Sequence, residues 1–328
     1  MKKIFFLAAI IVALLTAGCS TKSKFDLKLT LTPREPNSVI TKNDMNKAAE
    51  VSGNRLINFF SIPKENIQSE ISGNKIVLTI SNADTGKIGL IRNVLSGYHK
   101  LEFLETYDYG EVKENLLRVN LKLRDMETPV KGEKKSEMNP LFDILHPLMK
   151  SNMEQSHSCL IGLVNVKDTS RINEYFRMDQ IKALLPGDLR FYWSANPYRY
   201  DSSRSFYELH AIKVNAPGKE GPVNGSSIIS ARTIIGRDSS NVKIDLSMDS
   251  AGTKTWARVT RENIGRCIAV VFDGYVRSYP RVQVEISGGN TEITGDFAVR
   301  DADFLVNILK SGDLPFELRV EKALIIRR

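Results

Sequence analysis

An Asp-Gly pair at 273–274, set between two β-prone apolar runs, constrains this chain more than any other feature. Ile268 to Phe272 has the composition of a buried strand, and Tyr275, Val276 and Tyr279 resume the apolar pattern after the pair. A type I′ turn needs φ > 0 at both central residues, so Asp-Gly between such runs predicts a tight hairpin. Pro280 closes the second strand, since it cannot donate to a ladder. Upstream, VKIDLSM (242–248) alternates as a strand, and Asp249 caps a helix carrying Trp256 and Val259. Downstream, VQVEI (282–286), a turn SGGN (287–290) and TEITGDF (291–297) read as a second hairpin. A helix follows whose stripe is Ala302, Leu305, Val306 and Leu309, and Gly312 ends it.

The N-terminal part has its own pattern. FDLKLTLTP (25–33) alternates as a strand, MNKAAEVSGNRLINFF (45–60) reads as a helix, and 66–72 and 74–81 are strands joined at Gly73-Asn74. Asp84-Thr85 opens a helix with Ile88, Ile91, Val94 and Leu95 on one stripe, and Gly97 ends it. KLEFLET (100–106) reads as a fourth strand, giving the order βαββαβ. The expected fold is α+β: a ferredoxin-like base over 26–125, completed by 314–328, with an inserted α+β head over 141–313. Residues 126–140 are charged, carry two Pro and no period, and read as an exposed linker. Within the head, a helix is expected around 141–151, a strand at 159–166, a helix at 170–184, strands at 188–194 and 205–214, and a loop over 215–227.

The start of the chain points to a compartment. Lys2-Lys3 is a basic n-region, IFFLAAIIVALL (4–15) an apolar stretch too short to span a bilayer comfortably, and Thr16-Ala17-Gly18-Cys19 a small-residue cleavage site. Cys19 directly after Ala-Gly resembles the lipoprotein processing site, although Thr16 stands where a branched apolar residue is usual. The expectation is a signal peptide over 1–18, lipid attachment at Cys19 and a polar tether over 19–25. Ser20 after the Cys, by resemblance to enteric sorting, points to the outer membrane of a Gram-negative cell, facing the periplasm.

The run Thr260-x-x-Asn263-x-Gly265-x-x-Ile268-Ala269, then Val271-x-Asp273-Gly274-x-Val276-x-Ser278-x-Pro280, Ile286-x-Gly288-Gly289, Ile293-x-Gly295-x-Phe297 and Leu309-x-x-Gly312-x-Leu314-Pro315 resembles the first periplasmic domain of SecD. Arg55-Leu56-Ile57-Asn58, Gly73-x-Lys75-Ile76-Val77 and Leu101-Glu102-Phe103 are similar to its base, with Ile80-Ser81-Asn82 in place of the usual Leu-Pro-Gly. LPGDLRFYW followed by FYELHAI resembles the insertion before the head in fused SecD–SecF proteins. The resemblance implies an accessory role beside the Sec translocase and a head that holds emerging polypeptide in an apolar crevice. The membrane helices that follow in that family have no counterpart before Arg328, so membrane attachment is expected through the lipid alone.

Composition agrees with a soluble globular chain: 42% hydrophobic and 26% charged residues. The formal charge of +8 includes Lys2 and Lys3, and the remaining basic residues are interleaved with acids. That distribution is a solvated surface, so no nucleic-acid partner is expected. His99, His146, His157 and His210 show no metal spacing, no Ser lies in Gly-x-Ser-x-Gly, and Ser287-Gly288-Gly289 precedes a strand where a phosphate loop would precede a helix. His157 and Cys159, two apart on a strand, read as a structural pair before a nucleophilic one. No enzyme activity, cofactor or metal is expected. Cys159 and Cys267 could form a disulfide if their Cα atoms lie within about 7 Å, or be ordinary core residues. Trp256 and Phe272 read as core. Tyr275 and Tyr279, at even spacing beside an exposed turn, with Trp193 and Tyr207, are the candidate polypeptide-binding surface. The alternative to an unfolded or exported polypeptide as partner is an envelope adaptor or structural lipoprotein docking one protein through a conventional interface.

Overall fold

The computed structural model describes residues 25–35, 39–97, 99–127, 135–147, 158–214, 221–236, 242–295 and 297–327. The expected signal peptide, Cys19, nearly all of the tether and His157 lie outside the described residues.

The base begins with β1 (Phe25–Pro33), α1 (Lys42–Phe60), β2 (Ile67–Ser72), β3 (Lys75–Ala83) and α2 (Ile88–Leu95). Strict alternation in β1 puts Leu27, Leu29 and Leu31 in the core. Thr41 starts α1 with a capping box: its side chain takes the Asp44 N–H while Asp44 takes the Thr41 N–H. Gly73, at φ 56°, makes the tight turn between β2 and β3. The sheet is antiparallel, and its order is β15-β1-β3-β2, where β15 (Leu318–Arg327) returns from the end of the chain.

This arrangement completes βαββαβ with a different last strand from the one expected. KLEFLET supplies β4 (Leu101–Glu105), but β4 pairs with β12 (Ile268–Phe272) in a separate eight-stranded sheet. The reason is burial on both faces. Leu101 and Phe103 enter one head core and Leu104 enters another. The next element, α3 (Tyr109–Met126), packs Val112, Leu116, Val119 and Leu123 against Leu141, Ile161 and Leu209. The base core instead runs from Leu27 to Leu95 and takes Leu314, Leu318 and Val320, so residues 26–125 do not share one core.

The head continues with β5 (Leu145–His146), β6 (Leu160–Asn165), α4 (Thr169–Arg177), α5 (Asp179–Lys182), β7 (Leu189–Ser194), β8 (Phe206–Lys213), β9 (Val223–Asn224), β10 (Ile228–Ile235), β11 (Val242–Met248), α6 (Ser250–Glu262), then β12, β13 (Tyr275–Ser278), β14 (Asn290–Thr294) and α7 (Val299–Ser311). The large sheet has the order β5-β6-β8-β7-β13-β12-β4-β9, and a three-stranded sheet has the order β10-β11-β14. Every residue of β12 is buried, as a central strand covered on both faces requires.

Several expectations are corrected here. In place of the N-terminal part of a helix at 141–151, a turn over 141–144 leads into β5, where Leu145 pairs with Val164; 148–157 lie outside the described residues. The helix at 170–184 breaks at Met178, whose ψ of 129° is extended. The loop at 215–227 is structured from residue 223, because β9 pairs with β4. The linker is not wholly exposed, since Met138 is buried. VQVEI and 291–297 do not form a hairpin; β14 pairs with β11 instead. The backbone of 280–286 is committed elsewhere: Ile268 N–H donates to Pro280 O, Val282 exchanges bonds with Gly265 and Arg266, and Ile286 N–H donates to Thr260 Oγ1.

Candidate functional site

The β12–β13 hairpin is built as expected, with Asp273 at φ 51° and Gly274 at φ 78°. Its tip also docks on the base. Asp273 accepts from the Lys100 N–H at 3.0 Å and lies 2.9 Å from His99 Nδ1, while His99 Nε2 lies 3.3 Å from Asn93 O. Arg55 is fully buried beneath this joint and donates to Val94 O at 3.1 Å. Burial pulls its guanidinium down to about 10, against the opposing pull of Asp273 and Asp313.

The four aromatic candidates separate. Tyr275 is 51% exposed and stands in parallel register with Trp193, whose Nε1–H donates to Asn173 Oδ1 at 3.0 Å. Tyr207 is half-buried in β8, opposite Val164. Tyr279 does not share the face of Tyr275. The register between β12 and β13 shifts after Val276, and one extra residue reverses the alternation beyond it. Tyr279 therefore packs with the core that contains Val276, lies with its ring tilted 4.6 Å from the His210 ring, and donates to Glu208 Oε1 at 3.0 Å. Burial, and then the Glu208 carboxylate, push its phenol well above the ordinary range.

A different place has the form of a binding site. Because 282–286 and β14 do not zip together, an apolar crevice of about 240 Å³ lies against both segments. Phe103, Ile268 and Val270 line it from the large sheet, Val282, Val284 and Ile286 from one wall, and Ile293 from the other. Val284 is 65% exposed at its mouth. Trp256 also lines it, with its ring 5.0 Å from Phe103. The Trp256 indole N–H is buried and has no partner among the described residues, an uncommon condition for a buried donor. The outer edge of β14 carries no strand among the described residues. Gly289, at φ 72°, holds the turn into β14; a Cβ there would stand 2.3 Å from Thr253 Oγ1. Sequence reasoning placed Trp256 in the core, where it is, but had no signal for the orphaned N–H. The alternation of Val282, Val284 and Ile286 gave only their apolarity.

Among the described residues no group of three or more His, Cys, Asp or Glu could hold a metal ion. No helix among them is long and apolar enough to cross a membrane.

Residues 210–316, which include both walls of the crevice and the β12–β13 hairpin, match the family model of the SecDF P1 head subdomain. The chain carries a SecD-type periplasmic domain. It is 33% identical over 178 residues to the protein translocase subunit SecD of Rhodothermus marinus, covering 54% of this chain and 26% of that protein. Against SecD of Leptotrichia buccalis it is 39% identical over 109 residues, covering 32% of this chain and 26% of the relative. The chain thus spans about a quarter of the length of these SecD relatives. A crystal structure of SecDF in a super-membrane-facing form shares the fold, with a TM-score of 0.52 at 20% identity over 92% of this chain and 30% of the other. A second structure, of a membrane component SecDF that enhances protein export, aligns with a TM-score of 0.50 at 18% identity over 90% of this chain and 98% of the other.

Proposed function

We propose that this SecD-type domain faces the periplasm, is held to the membrane by a lipid on Cys19, and binds unfolded or newly exported polypeptide in the crevice of its head to assist export beside the Sec translocase. The observation that carries this reading is the crevice itself: an apolar slot that, among the described residues, has an unpaired strand edge for a wall and a tryptophan with an unused N–H in its lining. Unfolded chains offer what such a slot lacks. Their apolar side chains enter without a fixed sequence, and their backbone groups add to a strand edge. A peptide carbonyl reaching the Trp256 N–H would remove the cost of leaving that donor unsatisfied. Tyr275 and Trp193, adjacent on β13 and β7, extend an aromatic surface at the hairpin that can take a longer segment. Lipidation at Cys19 gives attachment without a spanning helix, and Ser20 points to the outer membrane.

The test is a titration of the full chain with unfolded secretory precursors and with their folded forms. Val284→Asp places a charge at the exposed mouth of the slot and should leave the fold intact while weakening binding at least tenfold; Trp256→Phe removes the donor and keeps the ring. Binding to several unfolded chains, lost in Val284→Asp, supports the reading. Binding to none of them sinks it, and crosslinking to one folded envelope protein would then favour the adaptor. Metabolic labelling with a radioactive fatty acid tests the anchor: a labelled chain and an unlabelled Cys19→Ala variant are expected.

A further inference from the structure

Cys159 and Cys267 are 108 positions apart and meet in the interior of the head. Cys159 precedes β6 and Cys267 precedes β12, on strands that are not neighbours in the sheet. They are brought together through Thr106 and Ala211: Thr106 Oγ1 donates to Cys267 O at 2.7 Å, Ala211 N–H donates to Cys159 O at 2.9 Å, and Thr106 itself bridges Ile212. Both side chains are buried and both are reduced in this structure. The side chain and backbone of Cys159 both act on the Cys267 thiol. On the other side of Cys159 lies an imidazole, with His210 Nδ1 3.6 Å from its sulfur. Glu208 Oε2 stands 3.4 Å from His210 Nε2, and the Tyr279 ring covers the imidazole.

The two sulfurs are not equivalent. Hydrogen bonds from Cys159, acting against burial and helped by Arg281, bring the Cys267 thiol down to about 7. Burial, with the neighbouring sulfur, pushes the Cys159 thiol up. One sulfur is thus disposed to be thiolate near neutral pH, and the other keeps its proton beside a base.

We propose that Cys159 and Cys267 form a disulfide that ties β6 to β12, two strands of the large head sheet that do not pair with each other. The oxidant is a protein or small-molecule disulfide. The Cys267 thiolate attacks one of its sulfurs, forms a mixed disulfide and expels one thiolate. Cys159 then gives its proton to His210 and attacks the Cys267 sulfur, expelling the second thiolate. Two thiols of the head are oxidised and one external disulfide is reduced to two thiols. The buried position means that exchange occurs during folding or on transient opening of the sheet. The inference uses the periplasmic placement proposed above and is independent of whether the crevice takes polypeptide.

The test uses the full chain taken from the envelope of cells that produce it. Thiols are blocked with N-ethylmaleimide at lysis, and tryptic peptides are analysed by mass with and without reductant. The expected species joins the Cys159 and Cys267 peptides, is two hydrogens lighter than their sum, and disappears on reduction. Reduction of the purified chain should lower its melting temperature by on the order of 10 °C, the scale for opening a loop of roughly a hundred residues in a chain of this size. Cys159→Ala, where it folds, should leave Cys267 as a mixed disulfide with glutathione after incubation with the oxidised form. Recovery of both cysteines as separate maleimide adducts from the envelope overturns the proposal. So does a wild-type chain in which Cys267 carries only an external thiol.

Discussion

The base and the head are both α+β layers, yet they finish their packing differently. In the base, one antiparallel sheet and two helices close around Leu27, Leu29, Leu31, Leu56, Ile76 and Leu78, all at most 1% exposed. In the head, an apolar core is left open on one side, where Val284 stands out and, among the described residues, the Trp256 N–H has no partner and the outer edge of β14 no strand. A closed core is worth stability; an open one gives up some of it for a surface that can receive a partner. In the function proposed above, the base is the support and the head is the part that acts.

The sharpest way to break this contrast is at the joint between them. Arg55→Ala removes a fully buried charge from the neighbourhood of Asp273 and Asp313, and breaking such an arrangement typically costs about 3–5 kcal/mol. Denaturant unfolding measures it; a loss below about 1 kcal/mol would mean that the buried charge does not hold the joint. Next comes the base core. Leu29→Ala should cost about 2–5 kcal/mol and leave polypeptide affinity per folded molecule unchanged. Val284→Ala should do the opposite, changing stability by no more than about 0.5 kcal/mol while weakening binding. If both variants change both quantities, the division of labour fails. Gly289→Ala has a smaller effect on stability, of about 1–2 kcal/mol, because φ 72° suits glycine and Thr253 must move aside. Its larger effect should be on binding, through displacement of β14.

How much of this was legible in the sequence depends on whether local rules or distant packing decided the element. Asp273-Gly274 fixed its own hairpin, and β1 declared its buried face by alternation. The helix α3 had a complete local signal, Asp108 and Glu111 as a capping box before Val112, Leu116, Val119 and Leu123, but went unread, as did β10. The placement of β4 was a different matter. Both the base and the head offer an antiparallel slot, and only packing on two faces selects the head. The same holds for 282–286, where alternation is present but the backbone bonds go to Gly265, Arg266 and Thr260. Tyr279 was misread because a one-residue shift in register reverses a strand's faces and leaves no mark in composition. The crevice could not be seen, since it exists only because two segments that look like partners are not.

The smallest effect compares the same motif in the two regions. Asp44 at the start of α1 and Glu111 at the start of α3 both occupy the third helical position of a capping box. Each carboxyl is held below its ordinary value. For Asp44 the cause is hydrogen bonding from the Thr41 side chain and backbone. For Glu111 burial opposes, and the Asp108 N–H together with Arg266 overcome it. A depressed folded value means that the contribution is present above the unfolded carboxylate range and is lost as pH falls through the folded value. Both helices should thus loosen on acidification, but with different reach. Among the described residues the hydrogen bonds of Asp44 go to Thr41 at its own helix start, whereas the ion pair of Glu111 with Arg266 ties α3 to the turn that enters β12. Glu111→Gln should therefore flatten the acid limb of the head's stability profile more than Asp44→Asn flattens that of the base. Hydrogen exchange at pH 3 to 5, read separately over 42–60 and 109–126, distinguishes the two; equal effects would show that the pair with Arg266 adds nothing to the cap.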